Sequence, residues 1–171
     1  LLLASGQSGA PLIEPNTPGF EAFVAALTQL STDLAQAIAR DGEGATKLVE
    51  ITVVGAVSEA EADRAAKTVA TSPLVKTAIF GADPNWGRVL MAVGRSGVQV
   101  DTGRAALRLG EFQLVTQGEP LPFDVVAANE WLVDTTDVPI WIDLGVGQAE
   151  ATVWTCDLSY RYVEINAEYH T

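Results

Sequence analysis

Seven residues constrain this chain more than any others: Asp41-Gly42-Glu43-Gly44-Ala45-Thr46-Lys47. They join a long amphipathic helical pattern to a β-branched strand pattern. Two glycines in so short a connection let the backbone turn tightly, or let another group approach it closely. A carboxylate in such a turn can be held off a helix end toward a ligand. A helix C-cap, with Gly42 or Gly44 in the left-handed conformation, is the plain structural alternative. Phosphate binding is disfavoured, because the segment lacks the GxxxxGK[ST] frame and precedes a strand instead of a helix.

The rest of the chain shows a mixed α and β pattern. Leu1 to Ala4 reads as a strand entered midway, with no basic leader or long apolar core of the kind a signal peptide carries. With no initiator methionine at Leu1, a processed product or fragment is expected, its first strand pairing with a segment made elsewhere. Gly6 to Pro18 is a loop rich in Gly, Ser and Pro, and Thr17-Pro18 marks a helix start. Phe20, Phe23, Val24, Leu27, Leu30, Leu34 and Ile38 recur on one helical face that stops at Asp41-Gly42. Lys47 to Val57 reads as a buried strand. Ser58-Glu59-Ala60-Glu61 fits a capping box, so a helix follows to about Ala70.

Leu74 to Phe80 is expected to be a second strand, which would make a βαβ unit or an antiparallel pair. A short helix through Val93 follows Gly81-Ala82-Asp83-Pro84-Asn85-Trp86-Gly87-Arg88. Ala105 to Leu109 and Phe112 to Val115 read as a hairpin, and Asp124 caps a helix to about Val133. Val138 to Leu144 and Ala149 to Cys156 read as another strand pair. Leu158, Tyr162, Ile165 and Tyr169 fall at helical spacing in a final helix.

Composition narrows the function classes. Hydrophobic residues make up 48% and charged residues 19% of 171, the balance of a globular chain and not of a disordered one. A net charge of −12 argues against nucleic acid and against an anionic membrane surface as partners. No apolar run reaches the roughly 20 residues that span a bilayer. Cys156 is the single cysteine, so an internal disulfide is excluded and a reducing cytoplasm fits.

Candidate chemistry is mostly recognition. The single histidine, His170, stands next to the last residue and suits solvent better than a catalytic triad. Cys156 reads as a small buried thiol, and Trp86, Trp131, Trp141 and Trp154 read as core. No His, Asp and Glu cluster has metal-ligand spacing. In the Asp83 to Arg88 turn, Asp83 or Asn85 is expected to cap the next helix and Arg88 to pair with a carboxylate. The chain end, Ile165-Asn166-Ala167-Glu168-Tyr169-His170-Thr171, is apolar and patterned, as a docked terminus would be.

Three motifs in order carry a resemblance: DGEGATK at 41–47, ADPNWGR at 82–88 and YVEINAEYHT at 162–171. Together they resemble the C-terminal part of the ornithine acetyltransferase family. These arginine-biosynthesis enzymes are also called glutamate N-acetyltransferase or bifunctional ArgJ. The resemblance covers essentially the whole chain.

It implies a precursor that cuts itself before a threonine, which becomes the nucleophile at the new N-terminus. That threonine takes the acetyl group from N2-acetylornithine and passes it to glutamate, with the free α-amine able to act as base. The nucleophile is expected upstream of Leu1, so this chain alone is expected to be inactive and to supply recognition. By the resemblance Glu43, Asn166 and Thr171 bind substrate, Glu43 suiting an ammonium and the donors of Asn166 and Thr171 a carboxylate. No cofactor is implied, although some members use acetyl-CoA as a donor. The expected assembly is cytoplasmic, an α2β2 heterotetramer with the α chain of the same precursor. The expected fold is mixed α/β (α+β). Residues 1–40 would end a layered αββα sandwich and residues 41–171 would form a smaller α/β domain. A related self-cleaving aminopeptidase, or a non-catalytic amino-acid-binding module, stands as the alternative.

Overall fold

A computed structural model describes residues 5–168. The expected strand at Leu1 to Ala4 and the chain end from Tyr169 to Thr171 lie outside them. The described residues fall into two compact units divided between Ala35 and Gln36. In the first, Thr17 accepts from the Phe20 amide at 3.2 Å and starts helix α1 (Pro18–Arg40), as its Thr-Pro signal implies. Phe23, Val24, Leu27, Leu30 and Leu34 on its apolar face are exposed.

The second unit is built on a mixed sheet of order β4-β3-β2-β5-β1-β6, which bears out the mixed α/β reading. Its strands are β1 (Leu48–Ala56), β2 (Ala106–Leu109), β3 (Phe112–Thr116), β4 (Glu119–Pro120), β5 (Asp137–Asp143) and β6 (Ala149–Cys156). Between them run helices α2 (Glu59–Ala70), α3 (Pro73–Phe80), α4 (Trp86–Arg95) and α5 (Val125–Asp134), and α6 (Tyr160–Glu168) follows β6. Val49, Ile51 and Val53 alternate along β1 into one core with Ala62, Ala65, Ala66 and Val69 of α2. The small side chains of α2 let that helix lie close on the sheet. Val75 and Ile79 of α3, Val93 of α4, Leu132 of α5 and Ile140 of β5 join the same core.

The opposite sheet face is amphipathic. Arg108 lies 4.3 Å over the Trp141 ring, and Trp154 donates to Glu50 at 2.9 Å. Only Trp86 and Trp131 of the four expected core tryptophans pack against the main core.

Two expectations are corrected. Leu74 to Phe80 is helix α3, not a strand. Ser72 caps it by accepting from the Val75 amide, and Pro73 fits its first turn. Val75, Ala78 and Ile79 then fall on one buried helical face, while Leu74 is exposed. In a run of eight residues, β-branched alternation and helical spacing overlap, and the Ser-Pro start decides. The predicted βαβ unit disappears with the strand. The second correction concerns β5 and β6, which do not pair with each other. β1 lies between them, parallel to β5 and antiparallel to β6.

Candidate substrate-recognition site

The Asp41–Lys47 loop is seated by the far end of the chain. After the Asp41 amide donates to Ala37, closing α1, Gly44 takes φ +68°. Gly44 is therefore the left-handed glycine, and Gly42 serves close approach instead. A Cβ on Gly42 would stand 2.8 Å from the Cys156 sulfur, and one on Gly44 would stand 2.6 Å from the Tyr162 amide nitrogen. Both glycines let the loop lie directly on the strand end and first turn of α6.

Asp157 locks the loop from beneath. Its carboxylate, 3% exposed, accepts from the Thr46 amide at 2.8 Å, the Lys47 amide at 3.1 Å and the Thr46 hydroxyl. The buried Ser159 hydroxyl donates to the Gly44 carbonyl. Lys47 donates at 2.6 Å to the Thr135 carbonyl past the end of α5, where helix carbonyls lack partners. Sequence reasoning missed Asp157 and Ser159 as parts of this site. Their signal was a pair of cap-type residues beside a helix start, which reads as ordinary capping when the loop 111 residues earlier is out of view.

This seating brings Glu43 and Asn166 together. Asn166 Nδ2 donates to Glu43 Oε2 at 2.7 Å and to the Tyr162 carbonyl at 2.9 Å. Both neighbours are pure acceptors, so the amide orientation is fixed by its surroundings. The two Nδ2 hydrogens are engaged, and Oδ1 remains as an acceptor beside the Glu43 carboxylate. Two adjacent oxygens of this kind suit an ammonium group. Thr171 lies outside the described residues.

The second motif builds a corner. Asn85 caps α4, accepting from the Arg88 amide at 3.1 Å and donating to Asp83 at 3.0 Å. Arg88 does not pair with a carboxylate as expected. It donates to the Leu74 carbonyl at 3.0 Å and reaches the Thr77 hydroxyl at 3.5 Å, clasping α3 to α4. α3 in turn meets the site, because Phe80 packs edge-on against Tyr160 at 5.4 Å. Cys156 is half-buried, with Lys76 Nζ 3.8 Å from its sulfur.

The sequence profile of the ArgJ family matches residues 1–171, the whole length. The chain belongs to the ArgJ family. An ArgJ protein of Synechococcus, named an arginine biosynthesis bifunctional protein, is 49% identical over 99% of this chain and 43% of its own length. The ArgJ protein of Symbiobacterium thermophilum is 50% identical over all of this chain and 42% of its own. A chloroplastic ArgJ of Oryza sativa is 48% identical, with 38% of its length covered. The chain thus spans about two-fifths of the curated ArgJ relatives it matches. The crystal structure of ArgJ from Bacillus halodurans superposes with a TM-score of 0.93 at 43% identity, covering 97% of this chain and 78% of that one. ArgJ membership agrees with the order of the three motifs, and the fold brings the first and third of them together.

Proposed function

We propose that this chain supplies substrate recognition to an acetyl transfer from N2-acetylornithine to glutamate, in arginine biosynthesis, through an acetyl-threonine intermediate on a residue outside this chain. The observation that carries the reading is the Glu43–Asn166 pair at 2.7 Å, on a loop pinned by the buried Asp157. The substrates are amino acids, and paired oxygen acceptors match the ammonium that ornithine carries. Asn166 here holds Glu43 in place and adds its own oxygen, while Thr171 is left to serve the substrate carboxylate. Self-cleavage, the α2β2 assembly with an α chain of the same precursor, a cytoplasmic location and acetyl-CoA as a further donor belong to the same proposal. With the threonine nucleophile outside it, the chain alone is inactive in this reading.

The test is an assay of a full-length ArgJ protein carrying this chain, given N2-acetylornithine and glutamate without acetyl-CoA. Mass spectrometry is expected to show N-acetylglutamate and ornithine. Glu43→Ala is expected to lower kcat/KM at least about tenfold, the worth of one charge-assisted hydrogen bond. Absence of product from a folded sample would sink the reading, and unchanged kinetics in the variant would remove Glu43 from the site.

A further inference from the structure

The parallel pairing of β1 with β5 ends with Val54 opposite Asp143. Beyond the carboxyl ends of parallel strands, loops diverge and leave a crevice that suits ligands. A groove of about 470 Å³ opens here, with Gly55, Arg104, Gln117, Asp143, Gly145 and Gln148 among its walls. The Glu43 loop leads into the first residue of β1, and this groove is lined by Val54 and Gly55 near the strand's other end. The strand from Leu48 to Val53, roughly 20 Å, separates the two places.

The groove is built by close approach. Gly55 and Gly145 have φ of +69° and +71°. A Cβ on Gly55 would stand 2.0 Å from Asp143 Oδ1, and one on Gly145 would stand 2.7 Å from Arg104 Cβ. The Asp143 carboxylate and the Arg104 stem are thereby laid against bare backbone. Gln117 (φ +49°) and Gly118 (φ +75°) are the two central residues of the hairpin turn between β3 and β4, which carries the Gln117 amide to the groove. The loop backbone is self-satisfied: Val146 and Gly147 donate to the Gly55 carbonyl at 2.9 and 2.7 Å, and Gly145 donates to Asp143 Oδ1 at 2.8 Å. What remains to bind a ligand is side chains. Arg104, Gln117 and Gln148 are exposed and Asp143 half-buried, and among the described residues their guanidinium, amides and Oδ2 make no protein hydrogen bond, nor do Arg104 and Asp143 form an ion pair.

One cation, one anion and two amides around a small groove complement a zwitterion. A bare anion would meet Asp143, and a bare cation would meet Arg104. We propose that this groove binds a free α-amino acid, its carboxylate on Arg104 and its ammonium on Asp143 Oδ2. The two glutamines, each both donor and acceptor, would read its side chain.

The test uses a full-length ArgJ protein carrying this chain, titrated calorimetrically with L-glutamine, and with propionate and propylamine as single-charge probes. Saturable L-glutamine binding is expected, with both single-charge probes at least about tenfold weaker. Arg104→Gln and Asp143→Asn should each weaken it at least about tenfold. The second substitution keeps an oxygen to accept from Gly145. Glu43→Ala should leave the binding intact, which separates this groove from the proposed substrate pair. Hydrogen exchange on the unaltered protein should show L-glutamine protecting residues 143–148, a readout that no folding defect can mimic. Absence of saturable binding at millimolar concentrations, absence of that protection, or propionate binding as tightly as L-glutamine would overturn the proposal.

Discussion

Gly44 makes the sharpest demand on residue type at the candidate site. It combines φ +68° with a backbone nitrogen 2.6 Å from where a Cβ would sit. Gly97 has φ +71° and nothing within 4 Å, so the two glycines separate conformation from crowding. Gly97→Ala is expected to cost about 1 kcal/mol. Gly44→Ala should cost at least about 2 kcal/mol and raise the substrate KM, because α6 must move. Thermal unfolding and steady-state kinetics of the full-length protein check both. Asn166→Asp is a complementary test. It keeps the size and an oxygen acceptor but sets a second carboxylate beside Glu43, and kcat/KM should fall at least about tenfold at neutral pH. A variant as active as the parent would show that the amide hold on Glu43 is dispensable.

Among the elements, the joint between the Asp41–Lys47 loop and α6 rests on Asp157. Replacing it with alanine leaves two backbone amides without their acceptor, and a loss of about 2–3 kcal/mol is expected. Thr46→Val removes one hydroxyl donor only and should cost less, so the ratio of the two in urea unfolding reports the anchoring. Much of this scale was legible in the chain. Ser58, Asn85 and Asp124 each cap the helix that their sequence announces. The capping box at Ser58 is half-formed: Ser58 accepts from the Glu61 amide, while the Glu61 carboxylate accepts from Gln99. Local signals of this kind survive folding because both partners lie within one turn. α3 is the exception: its apolar spacing fits a strand as well as a helix, and only its Ser72-Pro73 start separates the two.

In the whole molecule, pairing between distant segments decides what the sequence could not. Nothing near β1 states that its neighbours are β5 and β6, which begin at Asp137 and Ala149. The motifs single out Glu43 and Asn166 as candidates, but their contact and its support by Asp157 are not readable from the sequence. A further long-range pair joins Arg40 to Asp137. The Arg40 hydrogen bond holds the Asp137 carboxyl below its usual range, against the opposing effect of burial and with help from the Thr136 hydroxyl. An aspartate with a lowered folded value stabilises fully above its unfolded value and loses that contribution as pH falls through the folded one. The stability difference between the parent and Asp137→Asn should therefore shrink as pH is lowered through the acidic range. It should be modest and salt-sensitive, since the two side chains are 51% and 58% exposed. Unfolding midpoints measured against pH and ionic strength check this.

The bond from Thr46 to Asp157 spans 111 residues, and this sets a timetable. On a ribosome the Glu43 loop emerges well before Asp157 and has nothing to rest on until β6 and its following turn have left the exit tunnel. α1 and α2 can form from local contacts while translation continues, but the recognition loop cannot. Release of a nascent chain before Asp157 would leave a β1 with only part of its sheet and a loop whose carboxylate points nowhere fixed. The seat of the Glu43 loop is thus completed only when the residues from β6 to α6 have been made, and shorter translation products lack it.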